Sequence, residues 1–190
     1  GDGILNVGAG LLNTTSYFKD VSPRRMLDAF VRSLPEAWGI VEGNAAGDVL
    51  SGPLPMGMNR RPLALPGLLL LGDAGGIVNP FTGEGIAYAI ESAEVAAELV
   101  HDALATERPG LAHTYPIELR RRYGRYFTVG RAFAKAIGNA RFMRLSVLYS
   151  FPRRRLMRFA LRMLANLTDG RDGDLDDRIM DWIVRMAPER

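Results

Sequence analysis

Residues 68–86 read Leu-Leu-Leu-Leu-Gly-Asp-Ala-Gly-Gly-Ile-Val-Asn-Pro-Phe-Thr-Gly-Glu-Gly-Ile, and this stretch decides the fold. The four leucines predict a buried strand, because a strand covered on both faces of a parallel sheet is continuously apolar. A glycine-rich loop follows, and a helix pattern begins after Pro80. The carboxyl end of the strand and the N-terminus of the helix then lie at the same edge of the sheet. Open α/β sheets bind their ligands at this edge.

The helix after Pro80 has the clearest periodicity in the chain. Its apolar residues share one face, and its acidic residues lie mainly on the other. The apolar set is Ile86, Ala89, Ile90, Ala93, Ala96, Ala97 and Val100, and the acidic set is Glu84, Glu91, Glu94, Glu98 and Asp102. We therefore predict a long helix that ends before the turn at Glu107-Arg108-Pro109-Gly110.

Two strands of an antiparallel sheet are predicted upstream, over residues 3–12 and 48–54. Between them, Ser22 as N-cap and Pro23 at the first position predict a helix that ends at Pro35. Downstream, apolar periodicity predicts helices near 115–137, 140–150, 153–167 and 174–187, with a loop at 169–173.

The predicted fold class is α+β, in three parts. Residues 1–57 form part of a substrate or catalytic sheet domain, and residues 58–105 form the ligand-facing part of an α/β domain. Residues 106–190 form a helical C-terminal region.

Composition limits the classes of protein. The chain has 190 residues, is 47% hydrophobic and contains no cysteine, so a folded core is expected and disulfides are excluded. No cluster with zinc-ligand spacing occurs, and we predict no metal site.

The net charge of +3 is unevenly distributed. No Asp or Glu occurs from Leu119 to Thr168. The same window contains Arg120, Arg121, Arg122, Arg125, Arg131, Lys135, Arg141, Arg144, Arg153, Arg154, Arg155, Arg158 and Arg162. A solvated face of a helical bundle and an anionic membrane surface both remain open as explanations. Nucleic acid is disfavoured, because no recognition fold accompanies the charge.

Asp73 is the candidate ligand-binding carboxylate. At the end of a strand it can accept hydrogen bonds from sugar-like hydroxyls, such as the ribityl chain of a flavin. Gly83 and Gly85 expose backbone N–H groups where the helix dipole favours negative charge. Glu84 is a candidate proton donor, although a carboxylate stabilised by the same dipole explains it equally well. The alternative is a strand–turn–helix unit in which Asp73 only caps the loop.

Taken as a whole, the run from Gly72 to Ile86 resembles the second FAD motif of the geranylgeranyl reductase family. These are flavoproteins of the para-hydroxybenzoate-hydroxylase-like superfamily. The basic helical C-terminus resembles actinobacterial members that reduce the isoprenoid tail of menaquinone. The resemblance implies an FAD-dependent oxidoreductase that saturates C=C bonds of an isoprenoid lipid or prenyl-quinone, with reduced nicotinamide, NAD(P)H, or ferredoxin as electron donor. The cofactor-binding residues that it implies are Gly72, Asp73, Pro80, Phe81, Gly83, Glu84, Gly85 and Ile86.

The resemblance also implies a cytoplasmic protein, peripheral on the inner face of the cell membrane. The family's N-terminal Gly-x-Gly-x-x-Gly unit does not occur here, so we expect a C-terminal portion that is inactive by itself. Two other functions stay open: a non-catalytic helical module that binds a membrane or partner, and an FAD-dependent monooxygenase. Gly76 disfavours the latter, because the aromatic hydroxylases usually have His at this position.

Overall fold

The computed structural model describes residues 3–150, 152–164 and 182–188. The helices are α1 (Pro23–Ser33), α2 (Ile86–Ala105), α3 (Tyr115–Ile137), α4 (Ala140–Ser150) and α5 (Arg154–Leu164), and the strands are β1 (Ala64–Leu65) and β2 (Leu68–Leu69). Short 3₁₀ helices cover Glu36–Trp38, Glu42–Asn44, Gly72–Gly75 and Pro109–Thr114. This content confirms the α+β class, whereas the three-part domain division stays a prediction.

The predicted helices are confirmed wherever they are described. In α1, the Arg25 N–H donates to Oγ of the N-cap Ser22 at 3.5 Å, and Pro23 occupies the first turn. The helices predicted at 115–137 and 140–150 match α3 and α4. Residues 182–186 are helical, while 165–181, including the predicted loop at 169–173, lie outside the described residues.

The prediction of two upstream strands is wrong. Residues 3–12 and 48–54 have no strand structure, and Leu50 is 92% exposed. A strand is stable only when another strand pairs with its N–H and C=O groups. No described segment pairs with either of these, so the antiparallel sheet predicted from them is not formed.

The four-leucine run is only partly a strand. Leu68–Leu69 pairs with Ala64–Leu65 in an antiparallel hairpin rather than in a parallel sheet. The Leu70 N–H donates to the Leu63 carbonyl at 2.9 Å, and one isolated parallel bridge joins Met56 to Val78. The prediction of a strand covered on both faces is therefore wrong, since Leu68 stays exposed.

The core lies between α2, α3 and the segment that joins the hairpin to α2. Its fully buried hydrophobic side chains are Ile77, Val78, Val95, Tyr115, Leu119 and Phe127. The Tyr115 hydroxyl donates to the Leu70 carbonyl at 3.1 Å, which ties the start of α3 to the end of the hairpin.

The buried face of α2 differs from its most apolar face. Ser92, Val95, Ala96 and Ala103 are buried, whereas Ile86 is 80% exposed and Ile90 is also exposed. Hydrophobic periodicity located the helix correctly, but the turn at Gly72 and helix α3 determine which side is covered. None of the helices in the described part of the chain is long and apolar enough to cross a bilayer.

Candidate functional site

The Gly-Asp turn is attached to α2 by a buried serine. Leu71 is extended and Gly72–Gly75 forms one 3₁₀ turn. The Gly72 N–H donates to Ser92 Oγ at 3.1 Å, and Ser92 Oγ donates to the Ala89 carbonyl at 3.0 Å. Because Ser92 is fully buried, these bonds hold the turn on the helix without competition from water.

The turn and the start of α2 meet at one surface. Asp73 is exposed, and a Cβ built on Gly85 would lie 2.9 Å from Asp73 Oδ1. Gly85 is the N-cap residue of α2 and has no side chain to accept hydrogen bonds from the first-turn N–H groups. The structure therefore brings the Asp73 carboxylate and the positive helix end at Gly85 side by side, as the sequence predicts. The prediction that Gly83 exposes its N–H is wrong, because this N–H donates to the Asn79 carbonyl at 2.8 Å.

Asn79 organises the loop between the turn and the helix. Its side chain is fully buried, and its Oδ1 accepts the Phe81 N–H at 2.9 Å. Its Nδ2 donates to the hydroxyls of Tyr126 at 3.3 Å and Tyr88 at 3.4 Å. Its backbone N–H donates to the Glu84 carbonyl, and its carbonyl accepts the Gly83 N–H, both at 2.8 Å. One side chain thus connects the loop to α2 and α3.

Pro80 and Phe81 are packed inside the protein. Phe81 is 6% exposed, and its ring centroid lies 5.0 Å from that of Tyr126 and 5.4 Å from that of Phe133. A Cβ at Gly130 would overlap Pro80 and lie 3.0 Å from the Phe81 ring, so α3 approaches this loop closely. The two residues therefore pack the loop against α3. Their contact with a flavin ring stays a prediction.

Glu84 caps the helix that it precedes. Its Oε1 accepts the Ala87 N–H at 3.1 Å. Its own backbone N–H donates to Thr82 Oγ1 at 3.1 Å. This is the helix-start alternative that the sequence left open for Glu84. Its role as proton donor stays a prediction.

The phenols beside the loop are neutral near pH 7. Burial, reinforced by Tyr126 and Glu84, raises the pKa of Tyr88 far above its usual range. Burial also raises the pKa of Tyr126 and Tyr123, and the Tyr123 hydroxyl donates to Glu91. These hydroxyls therefore act as hydrogen-bond donors and acceptors. Within the described ranges, no group of three or more His, Cys, Asp or Glu side chains could hold a metal ion.

Sequence analysis missed three residues that build this site: Ser92, Asn79 and Gly130. Ser92 had a weak signal, as a polar residue beside the apolar positions of α2. Asn79 stands within the quoted stretch, but only the structure shows that Tyr126, far along the chain, completes its hydrogen bonds. Gly130 had no distinguishing signal in the sequence. A side chain is excluded there only because Pro80 approaches α3 closely.

Curated proteins that are similar to the chain are reductases. Menaquinone reductases from Mycolicibacterium smegmatis and Mycobacterium tuberculosis strain H37Rv are each 33% identical over 186 residues, covering 98% of this chain and 42% of the relative. A digeranylgeranylglycerophospholipid reductase from Methanothrix thermoacetophila is 35% identical over 121 residues, covering 63% of this chain and 29% of that protein.

The chain thus spans about two-fifths of the length of these menaquinone reductases, 42%. No protein-family profile matches it, and no solved structure matches it significantly.

Proposed function

Because this chain belongs to the geranylgeranyl reductase family, we propose that it takes part in FAD-dependent reduction of C=C bonds in an isoprenoid chain. The substrate class is a prenyl lipid or the tail of a menaquinone, in keeping with the names of the relatives. The observation that carries the proposal is the approach of Asp73 Oδ1 to Gly85, the N-cap residue of α2.

The residues at this surface fit the flavin end of FAD. The Asp73 carboxylate would accept hydrogen bonds from the ribityl hydroxyls. The backbone of Gly83, Gly85 and Ile86 would face the pyrimidine edge, where the positive end of α2 stabilises the negative charge of a reduced flavin. When bound, FAD supplies a hydride from its N5 atom to one carbon of the double bond.

A proton for the other carbon has to come from elsewhere. Glu84 is the proposed donor, because its carboxyl group lies at the start of α2, next to Gly85, where one of its oxygens accepts the Ala87 N–H. The neutral Tyr88 hydroxyl, held by Asn79, would keep the loop in place while the proton moves. The electron donor in this proposal is NAD(P)H or a ferredoxin.

FAD would also need the part of the relatives that this chain does not match, since the adenine-binding glycine motif is absent here. The proposal is therefore that this chain supplies the flavin-facing portion of a shared site. By itself, the chain is expected to be inactive.

Helices α4 and α5 support a peripheral contact with an anionic membrane on the cytoplasmic side. Leu145, Leu148, Tyr149, Leu156 and Leu161 are exposed on these helices, among arginines and without any acidic residue. Exposed apolar side chains beside cations suit the interface of anionic lipids. Sedimentation with liposomes tests this: binding that does not depend on anionic lipid contradicts it.

The experiment for the main proposal is FAD titration of the chain within a polypeptide of the relatives' full length. We expect a yellow protein, and Asp73→Asn should weaken FAD binding by about tenfold or more, because a charge-assisted hydrogen bond is lost. Asp102→Asn, at the exposed far end of α2, is the matched control and should leave affinity unchanged.

If Asp73→Asn and the wild type bind FAD with equal affinity, Asp73 only caps the loop and does not bind the cofactor. A protein that stays colourless with excess FAD would favour the non-catalytic helical module instead.

A further inference from the structure

A cleft of about 440 Å³ opens between residues 58–64 and the first turns of α3. Its lining combines apolar and cationic residues and contains no acidic residue. The apolar residues are Met58, Pro62, Leu63, Ala64 and Pro116, and the cationic residues are Arg60, Arg61 and Arg120. The volume lies in the usual range of small-ligand sites, about 300–1,000 Å³.

The three arginines have no acidic counterpart. None of them forms an ion pair with any carboxylate in the part of the chain that the structure describes. Arg61 also lies near Arg131, whose pKa is lowered by burial and by the positive charge of Arg61. The charges of Arg60, Arg61 and Arg120 therefore face one cleft without an ion-paired carboxylate among the described residues, at a cost in repulsion that a bound anion would relieve.

Both walls of the cleft hold their arginines on fixed backbone. The Met58 N–H donates to the Gly76 carbonyl at 2.7 Å. Gly76 has φ +67°, and a Cβ there would lie 3.1 Å from Arg60 Cγ, so the stem of Arg60 packs on the Gly-rich loop. On the opposite wall, Arg120 follows the fully buried Leu119 of α3. The packed stem of Arg60 reduces the entropy lost when its guanidinium group binds a ligand.

We propose that this cleft binds a phosphate-bearing ligand through Arg60, Arg61 and Arg120, with an apolar part of the ligand over Leu63 and Pro116. Guanidinium groups match phosphate oxygens in bidentate geometry, and a pyrophosphate or phosphate ester presents enough oxygens for three of them. The phosphate of a nucleotide and that of a phospholipid headgroup share this chemistry. None of the lining residues belongs to the surface formed by Asp73 and Gly85, so binding in the cleft can be tested separately from flavin binding.

Isothermal titration calorimetry of the protein with inorganic pyrophosphate, at fixed ionic strength, tests this site. Arg60→Gln, Arg61→Gln and Arg120→Gln should each weaken binding by about tenfold or more, the loss expected for one hydrogen bond between charged groups. Arg25→Gln removes an equal charge from α1 and should change the affinity by less than about twofold. Arg120→Lys keeps the charge but loses the bidentate geometry, and should give an intermediate loss.

Titrations with ADP and with glycerol 3-phosphate identify the source of the phosphate. Tighter binding of ADP than of pyrophosphate supports a nucleotide, and tighter binding of glycerol 3-phosphate supports a lipid headgroup. Absence of binding for all three probes overturns the proposal. Equal weakening by Arg25→Gln and by the cleft variants also overturns it, because attraction to general surface charge would then explain the binding. Circular dichroism of every variant verifies that the fold is retained.

Discussion

Asn79→Ala should be among the most destabilising single changes in the glycine-rich stretch. The Asn79 side chain is fully buried and accepts the Phe81 N–H while donating to Tyr126 and Tyr88. Alanine removes all of these partners at once, in a place where water cannot replace them.

The expected loss in the free energy of unfolding follows from the hydrogen-bonding groups that Asn79→Ala leaves without a partner. A buried N–H without an acceptor, here that of Phe81, costs about 1–3 kcal/mol. Loss of a typical net hydrogen bond to the Tyr126 hydroxyl adds about 0.5–1.5 kcal/mol. We therefore expect a decrease of about 1.5–4.5 kcal/mol in the free energy of unfolding. For a chain of this size that corresponds to a melting temperature lower by roughly 3–18 °C.

Urea unfolding followed by circular dichroism measures this difference. The matched control is Asn44→Ala, since the Asn44 side chain also donates one hydrogen bond, to the Gly39 carbonyl, but at an exposed site. The control should lose less than about 0.5 kcal/mol. If the two variants lose similar amounts, the buried network around Asn79 does not stabilise the loop, and our reasoning about the site is wrong.

Two further predictions concern α3. Gly130→Ala should destabilise the protein by about 1–3 kcal/mol in the same assay, because the added methyl group meets the Phe81 ring. Gly110→Ala, where a Cβ would have no neighbour within 4 Å, is its control, and equal losses would contradict the close packing. Hydrogen bonds from Arg121 and the arginine after it lower the pKa of Glu118 from 4.5 to about 2. This stabilisation is present above pH 4.5 and is lost as the pH falls towards 2, so Glu118→Gln should flatten that part of the stability profile. If the free energy of unfolding of Glu118→Gln falls with pH below 4.5 as steeply as that of the wild type, the stabilising role of Glu118 is contradicted.

The helices could be predicted because their signals are local. Ser22 and Pro23 mark the start of α1, and the periodicity of residues 86–105 marks α2, within the residues that form them. The strands could not be predicted as reliably, because a strand depends on a partner. Residues 3–12 have a strand-like pattern, but no described segment pairs with them.

The closeness of Asp73 and Gly85 was predicted, whereas the contacts that hold these residues in place were missed. Asp73 and Gly85 belong to one recognisable run, so the sequence indicates that a carboxylate and a helix start lie close together. The contacts that hold them are not local: Ser92 meets Gly72 across 20 positions and Tyr126 meets Asn79 across 47. Such pairs follow from the packing of α2 and α3, which no short pattern encodes.

By itself, then, the sequence determined the helices, the glycine-rich turn and the family, because each depends on residues that are neighbours in the chain. Which face of α2 is buried, and which side chains complete the loop, depends on the tertiary structure. It alone brought Arg60 and Arg120 to opposite walls of one cleft. The physical reason is that burial and hydrogen-bond partners are set by segments distant in sequence, whose approach is decided by the packing of the whole core.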